Sequence, residues 1–205
     1  MPWPEKVIRQ FQTIVPNPSE SDFQGAYNKL LNTLFPPDTD FTVVPQYLIP
    51  AASTSSDYIV AFEILLENRP VFILELKRPA DLRFISLRQA ADVQIRERMG
   101  DLAGQLWTRL RCNSYNELWN LDQCPIPTLH AVSAMGTQLC FYHLDTTDVA
   151  ANIKPDNIPK HPTKVNDTAP MQRWDCDILD AGGEARLRAV VEDSIMVACE
   201  NIANP

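Results

Sequence analysis

The chain has 205 residues, of which 45% are hydrophobic and 21% are charged, a composition that predicts one globular domain with a substantial core. Its net charge of −8 counts against a non-specific nucleic-acid binder, because such proteins normally carry a basic surface. No apolar run is long enough to span a bilayer, and the N-terminus lacks the apolar core of a signal peptide. We therefore expect no membrane partner and an intracellular location, cytoplasmic or nuclear.

The first elements in chain order are an arm, an amphipathic helix and a strand. Residues 1–18 contain four prolines and are predicted to form an arm or a short helix before a single domain over residues 19–205. Apolar residues recur at helical spacing after a group of capping residues, which predicts a helix over 20–35. Residues 41–49 are β-prone, and Pro45 within them indicates an edge strand or a bulge.

A strand–turn–strand unit follows this edge strand. Residues 57–66 and 71–77 are predicted to be strands, with turn residues at 67–70 between them. The second strand is apolar on both faces until Glu75, which indicates a sheet that is covered on both sides.

The second half of the chain alternates helices and strands. Residues 84–111 hold helix formers and no proline, which predicts one long helix, followed by an irregular or short helical connector at 112–127. Strands at 128–134 and 137–144 are predicted to be joined at Met135–Gly136. An irregular but ordered excursion at 145–177 and a last helix from about 183 to about 200 complete the order. The predicted fold class is α/β, with a mixed sheet of about five strands flanked by helices.

The chemistry of the chain is concentrated at the end of the strand–turn–strand unit. Glu75 and Lys77 are two apart on a strand, so both side chains leave the same face. A charged pair in a buried strand is costly unless its members are paired or bind a metal. With the turn centred near residue 68, Glu75 faces Ala61, Lys77 faces Ile59, and Asp57 lies one step beyond on the same face. A slip of one residue would move the whole set to the other face.

This set of side chains has the chemistry of a divalent-metal site. Mg²⁺ or Mn²⁺ prefers oxygen ligands, which Asp57 and Glu75 supply as carboxylates and Leu76 supplies as a backbone carbonyl. Such an ion can activate a water molecule and stabilise charge on a phosphodiester, while Lys77 can orient the water or stabilise the developing charge. The structural alternative is a salt-bridged strand end that closes a hairpin.

The segments D-Y-I-V and E-L-K, separated by a hairpin, preceded by a helix and strand and followed by a helix, resemble the PD-(D/E)XK phosphodiesterase superfamily. The resemblance covers residues 20–144 and implies a restriction-endonuclease-like sheet. It also implies an additional acid on the first helix, for which Glu20 is the candidate, and a glutamine on the helix after the motif, either Gln89 or Gln94. The sequence is also similar to a group of fungal proteins that carry E-L-K-R-P before a Gln/Arg-rich helix.

Several other side chains admit two interpretations. Arginines and glutamines on the long helix either contact phosphate or form an exposed, salt-bridged face; the predicted contacts are Arg88, Gln89 and Arg96. Glu63 falls on the same face as the proposed metal ligands, but a solvated hairpin acid is favoured. His130 and His143 lie on adjacent predicted strands without a further ligand spaced for zinc, which favours hydrogen-bonded histidines. The five cysteines lack C-x-x-C spacing and are interpreted as reduced thiols.

Three functions follow from these patterns. The leading expectation is a Mg²⁺- or Mn²⁺-dependent nuclease that cleaves nucleic acid, with DNA as the expected substrate. A homodimer is a further expectation. The first alternative is a catalytically inactive nuclease fold kept as a binding or effector module, which the acidic composition favours. The second is an intracellular toxin or effector of the Crinkler type, which resembles the same superfamily.

Overall fold

The computed structural model describes residues 3–48, 59–103 and 124–203. Its helices are α1 (Glu5–Gln12), α2 (Gln24–Leu34), α3 (Ile85–Leu102), α4 (Ala181–Arg188) and α5 (Val197–Ala203). A π-helical segment, Ala189–Met196, joins α4 to α5, and short 3₁₀ turns cover Ser21–Phe23, Pro79–Arg83 and Met171–Arg173. Its strands are β1 (Phe41–Leu48), β2 (Ile59–Leu66), β3 (Arg69–Lys77), β4 (Thr128–Met135), β5 (Gln138–Asp145) and β6 (Cys176–Asp177).

The strands form one mixed sheet in the order β1-β2-β3-β4-β5-β6. β3 and β4 run parallel, and the other neighbouring strands are antiparallel. A parallel pair needs a long crossover, and α3 lies in the crossover between β3 and β4. β1, which contains Pro45, is an edge strand as predicted. The strand beyond the five predicted ones is β6, whose two residues lie inside the predicted excursion and are too few to give a sequence pattern.

The hairpin between β2 and β3 fixes the register of the candidate site. Glu67 and Asn68 both have positive φ, 48° and 67°, as a two-residue hairpin turn requires. Ala61 pairs with Glu75, which confirms the predicted register. A register shift between Ile64 and Leu65 lies near the turn and leaves the pairing at Glu75 unaffected.

Helices cover both faces of the sheet, as the apolar β3 predicted. One face packs against α1, α2 and the helical run from α4 to α5, with Phe62, Leu74 and Val132 in its core. The other face packs against α3, with Ile73 and Tyr142 in its core. None of the helices in the described parts of the chain is both long and apolar enough to cross a membrane.

The bounds of several observed elements differ from the predicted bounds. Residues 1–18 include the short helix α1, whose buried Val7 and Phe11 pack on the core. The helix predicted over 20–35 begins as a 3₁₀ turn at Ser21 and continues as α2. The long helix is described as far as Leu102, while the rest of its predicted span and most of the connector, residues 104–123, lie outside the described residues.

The two adjacent glycines of α4 provide a test of the packing between α4 and β6. A Cβ at Gly183 would lie 1.9 Å from the backbone oxygen of Asp177, whereas a Cβ at Gly182 meets nothing within 4 Å. We expect Gly183→Ala to lower the free energy of unfolding by about 1–3 kcal/mol because the backbone must shift. Gly182→Ala is the matched control and should raise it by roughly 0.5–1 kcal/mol, since alanine has lower conformational entropy in the unfolded chain. Urea unfolding of both variants measures this, and equal effects would contradict the close approach.

Candidate functional site

Three polar side chains meet where β3 ends beneath α3. Lys77 Nζ lies 2.6 Å from Glu75 Oε1, and it donates a 2.6 Å hydrogen bond to Oε1 of Gln94. The side chain of Glu75 is 4% exposed and that of Lys77 is 16% exposed, so the acid is enclosed and the ammonium group lies closer to solvent. The structure therefore places an acid, an ammonium group and an amide in direct contact.

The local sequence explains this meeting. Alternation along β3 puts Glu75 and Lys77 on the face that α3 covers, while Leu74 and Leu76 point into the core on the other face. The two glutamines of α3 have different partners. Gln94 contacts Lys77, whereas Gln89 donates a 3.0 Å hydrogen bond to the backbone oxygen of Asn166.

Glu75 is an acid whose environment penalises its charge. Burial raises the pKa of Glu75, and the neighbouring positive charge of Lys77 lowers it by less. Glu75 Oε1 is buried, and its polar neighbour among the described residues is Lys77 Nζ at 2.6 Å, whose charge and hydrogen bond oppose the effect of burial on the pKa. On the neighbouring strand Ser133 pairs directly with Glu75, and its hydroxyl is buried without a hydrogen-bond partner among the described residues. This hydroxyl thus lies on the strand next to the buried ion pair.

Glu63 is not the solvated hairpin acid that the sequence predicted. It is 6% exposed and sits on the same sheet face as Glu75, because the partner of Glu75 is Ala61. Arg98 Nε donates to Glu63 Oε1 at 2.9 Å, and Gln46 Nε2 donates to Glu63 Oε2 at 3.3 Å. Both carboxylate oxygens of Glu63 are therefore satisfied by protein donors, which makes it a structural acid in this arrangement.

The predicted phosphate contacts on α3 bind the protein itself. Arg88 is 4% exposed, donates to the backbone oxygens of Leu82 and Ala169, and pairs with Asp167. Arg96 pairs with Asp92 at 2.8 Å and donates to the backbone oxygens of residues 153 and 155. Together with Gln89, these arginines fasten segment 153–169 to α3. Their positions do not support the predicted phosphate contacts, and the arginines do not form the exposed salt-bridged face that was the alternative.

The remaining predicted site residues lie in different parts of the chain. Asp57 lies outside the described residues. Leu76 occupies the β3 position between Glu75 and Lys77, and its side chain is buried in the core on the opposite face. Glu20 precedes the 3₁₀ turn that ends at Phe23, and its backbone oxygen accepts a 3.2 Å hydrogen bond from Phe23. A Cβ at Gly136, whose amide donates to the Lys77 carbonyl, would lie 3.3 Å from the Phe23 ring. The turn that follows Glu20 thus packs at the Lys77 end of the sheet.

The described residues include one acid of the predicted divalent-metal site. Among residues 3–48, 59–103 and 124–203, no group of three or more His, Cys, Asp or Glu side chains is arranged to hold a metal ion. Glu75 is a carboxylate, the ligand type that a hard cation prefers, and Lys77 Nζ lies 2.6 Å from its Oε1. The second predicted carboxylate is Asp57, so the predicted site stays a prediction that depends on this residue.

Sequence analysis missed two features of this region. The position of Ser133 opposite Glu75 depends on the parallel register of β3 and β4, which no local pattern encodes. The position of Arg98 could have been found, because it follows Gln94 by four residues and therefore lies on the same face of α3.

Comparison with known proteins gives no relative from which a role could be transferred. No family model matches the chain, and no curated protein or solved structure matches it either.

The pKa of Glu75 predicts a specific dependence of stability on pH. Between pH 4.5, the ordinary value, and the raised folded-state pKa, the folded protein binds more protons than the unfolded chain. Ionisation of Glu75 therefore costs stability as the pH rises through this window. We compare the wild type with Glu75→Gln. The difference between their free energies of unfolding, wild type minus variant, should fall as the pH rises, by up to about 1.4 kcal/mol per pH unit. Urea unfolding at several pH values measures this difference.

Asp22 offers a control of opposite sign. Hydrogen bonds from the Ser19 hydroxyl and amide lower the pKa of Asp22 below its ordinary value of 3.8. Its contribution to stability is present above pH 3.8 and is lost as the pH falls through the folded-state pKa. The wild type minus Asp22→Asn difference should therefore rise with pH, and a Glu75 difference that also rises would contradict the raised pKa.

Proposed function

We propose that the chain is a metal-dependent phosphodiesterase. It cleaves nucleic acid, with DNA as the expected substrate, by attack of an activated water molecule. The observation that carries the proposal is the buried Glu75 beside Lys77 at the end of a central strand, opposite a buried Ser133 hydroxyl that has no hydrogen-bond partner among the described residues. Buried acids with raised pKa beside a specific charge partner are enriched at functional sites.

The arrangement of elements supports the finer proposal of a restriction-endonuclease-like sheet. A helix, three antiparallel strands, a crossover helix and a parallel strand follow one another as α2, β1, β2, β3, α3 and β4. This order agrees with the one that the resemblance to the PD-(D/E)XK superfamily implies. It places the E-L-K segment at the end of β3, next to the parallel strand and beneath the crossover helix.

The roles of the side chains follow from their positions. When bound, Mg²⁺ or Mn²⁺ supplies the positive charge that activates water and stabilises a phosphodiester under attack. Glu75, with Asp57, would hold the ion. Lys77 presents its ammonium group at the more exposed end of the pair, where it can orient the water or stabilise the developing negative charge. Gln94 positions Lys77, because its side-chain oxygen accepts a 2.6 Å hydrogen bond from the ammonium group.

A specific observation favours the alternative of a non-catalytic binding or effector module. The net charge is −8, and three arginines of α3, Arg88, Arg96 and Arg98, are paired with acids inside the protein. These side chains do not contribute a basic surface for a phosphate backbone. This alternative predicts a melting temperature that rises with millimolar Mn²⁺, by roughly 5–10 °C at 100 times the dissociation constant, without cleavage of any substrate.

Cleavage assays with a lysine variant test the enzymatic proposal. Plasmid, single-stranded DNA and RNA are incubated with Mg²⁺ or Mn²⁺ and either wild type or Lys77→Ala. We expect metal-dependent cleavage by the wild type and a loss of at least about 100-fold in the variant, the usual effect of removing a group that stabilises developing charge. Lys154→Ala is the matched control, because Lys154 also lies 2.7 Å from a carboxylate but is 49% exposed and outside the candidate site.

Folding of each variant is checked by circular dichroism, because loss of Lys77 leaves Glu75 buried without its partner. Cleavage at the wild-type rate by a folded Lys77→Ala protein would contradict the role of Lys77. A folded wild type that cleaves none of the substrates, and whose melting temperature is indifferent to Mn²⁺, would contradict the proposed function itself.

The two glutamines of α3 give a second, finer test. Gln94→Ala should reduce cleavage about tenfold, because one charge-assisted hydrogen bond to Lys77, worth roughly 1.5 kcal/mol, is lost. Gln89→Ala should leave the rate unchanged, since Gln89 bonds to the backbone of Asn166. Initial cleavage rates at saturating metal measure both, and equal losses would show that Gln94 acts through helix stability alone.

A further inference from the structure

His130 and His143 face each other across two central strands of the sheet. They are directly paired in the antiparallel ladder of β4 and β5. Their ring centroids are 6.3 Å apart, with an angle of 41° between the ring planes. Directly opposite residues leave the same face of a sheet, so the two imidazoles share one environment.

The backbone shows that this is the closer kind of cross-strand pair. The His143 amide donates to the Lys154 carbonyl at 3.0 Å, and the Lys154 amide donates to the His143 carbonyl at 2.9 Å. Both backbone groups of His143 thus point away from β4, which makes His130–His143 a non-hydrogen-bonded pair. In such pairs the Cα atoms are about 4.5 Å apart and the side chains lie closer than in hydrogen-bonded pairs.

The part of the chain that the structure describes offers the two imidazoles no hydrogen-bond partner, although the sequence favoured hydrogen-bonded histidines. Within the described residues, no hydrogen bond is formed by the ring nitrogens of His130 or His143, whereas Nδ1 of His161 accepts from the amides of Thr163 and Lys164. Burial, with a smaller effect of His143, lowers the pKa of His130 to about 4, so its ring is neutral at pH 7. His143 is exposed, which leaves one side of the pair open to solvent.

We propose that His130 and His143 form a two-histidine site for a divalent transition ion of the zinc and copper class. Neutral imidazole is a preferred ligand of these ions. With a Zn–N bond of about 2.1 Å, two imidazoles on one tetrahedral ion have centroids roughly 5 Å apart, so the rings need to approach by about 1 Å. Water fills the other coordination positions. This inference is independent of the function proposed for Glu75 and Lys77, whose carboxylate site suits harder ions.

The surroundings of the pair are compatible with a cation. Lys154 lies beside His143, but its ammonium group is 2.7 Å from the carboxylate of Asp156, which offsets its charge. Phe72, which pairs with His130 from β3, is fully buried and closes the site on the core side. Three of the described thiols compete weakly at pH 7, because burial raises the pKa of Cys124 and Cys140 to about 12 and that of Cys199 to about 11.

Zinc titration of the reduced, full-length chain tests the proposal. Isothermal titration calorimetry at pH 7.5 should show one zinc site whose dissociation constant rises at least about tenfold in His143→Ala, since loss of one chelating ligand removes half of the protein donors. Because His143 is exposed, this variant should fold normally. His161→Ala is the matched control, and Glu75→Gln keeps the test separate from the nuclease proposal; both should bind zinc as the wild type does.

Imidazole NMR signals give an independent readout, because the chain has three histidines. Zinc should shift the signals of His130 and His143 and leave that of His161 in place. Unchanged zinc affinity in His143→Ala would overturn the proposal, as would an equal response of all three histidines or no binding by the wild type. Failure of cleavage with intact zinc binding would overturn only the proposed nuclease function.

Discussion

Strand β3 is covered by helices on both faces, and this constraint decides how every polar side chain on it must be placed. A buried carboxylate costs several kcal/mol unless a partner or a metal ion compensates it. Glu75 lies on the face covered by α3, and Lys77 from the same strand supplies the nearest compensating charge. Gln94 from α3 then accepts a hydrogen bond from Lys77, so the helix and the strand depend on each other's polar groups.

Helix α3 meets this demand with two polar rows on either side of an apolar strip. One row, Gln94 and Arg98, lies over β3 and β2 and satisfies Lys77 and Glu63. In the other row, Asp92 accepts hydrogen bonds from Arg96 and from two groups beyond the helix, Arg173 at 2.5 Å and the Tyr142 hydroxyl at 3.0 Å. The apolar strip between them consists of Ala91, Ile95 and Met99. The arginines of this helix are therefore part of its attachment to the sheet and to segment 153–173.

Local sequence patterns were sufficient to predict the elements whose structure depends mainly on residues close together in the chain. The β2–β3 register followed from the turn at residues 67–68, and β3 was predicted as a strand covered on both faces from its apolar run. Side-chain partners from distant segments could not be predicted, because they depend on tertiary register. Glu63 seemed solvated from its own surroundings, yet Arg98, 35 residues later, covers it. The histidine pair shows the same limit, because the adjacency of its strands was predicted, whereas the lack of partners for its rings within the described residues was not.

Glu63 and Glu75 are both buried acids on the same sheet face, but they differ in how completely protein groups satisfy their carboxylates. A buried ion pair adds little net stability compared with an apolar pair of similar volume, so its presence alone does not indicate function. Both oxygens of Glu63 receive protein donors, as a structural acid requires. Glu75 is compensated by one ammonium group, that of Lys77, and lies opposite a Ser133 hydroxyl without a hydrogen-bond partner in the described residues. Protein groups thus satisfy this position less completely than they satisfy Glu63, and this difference is the physical reason to place the proposed ion at Glu75 rather than at Glu63.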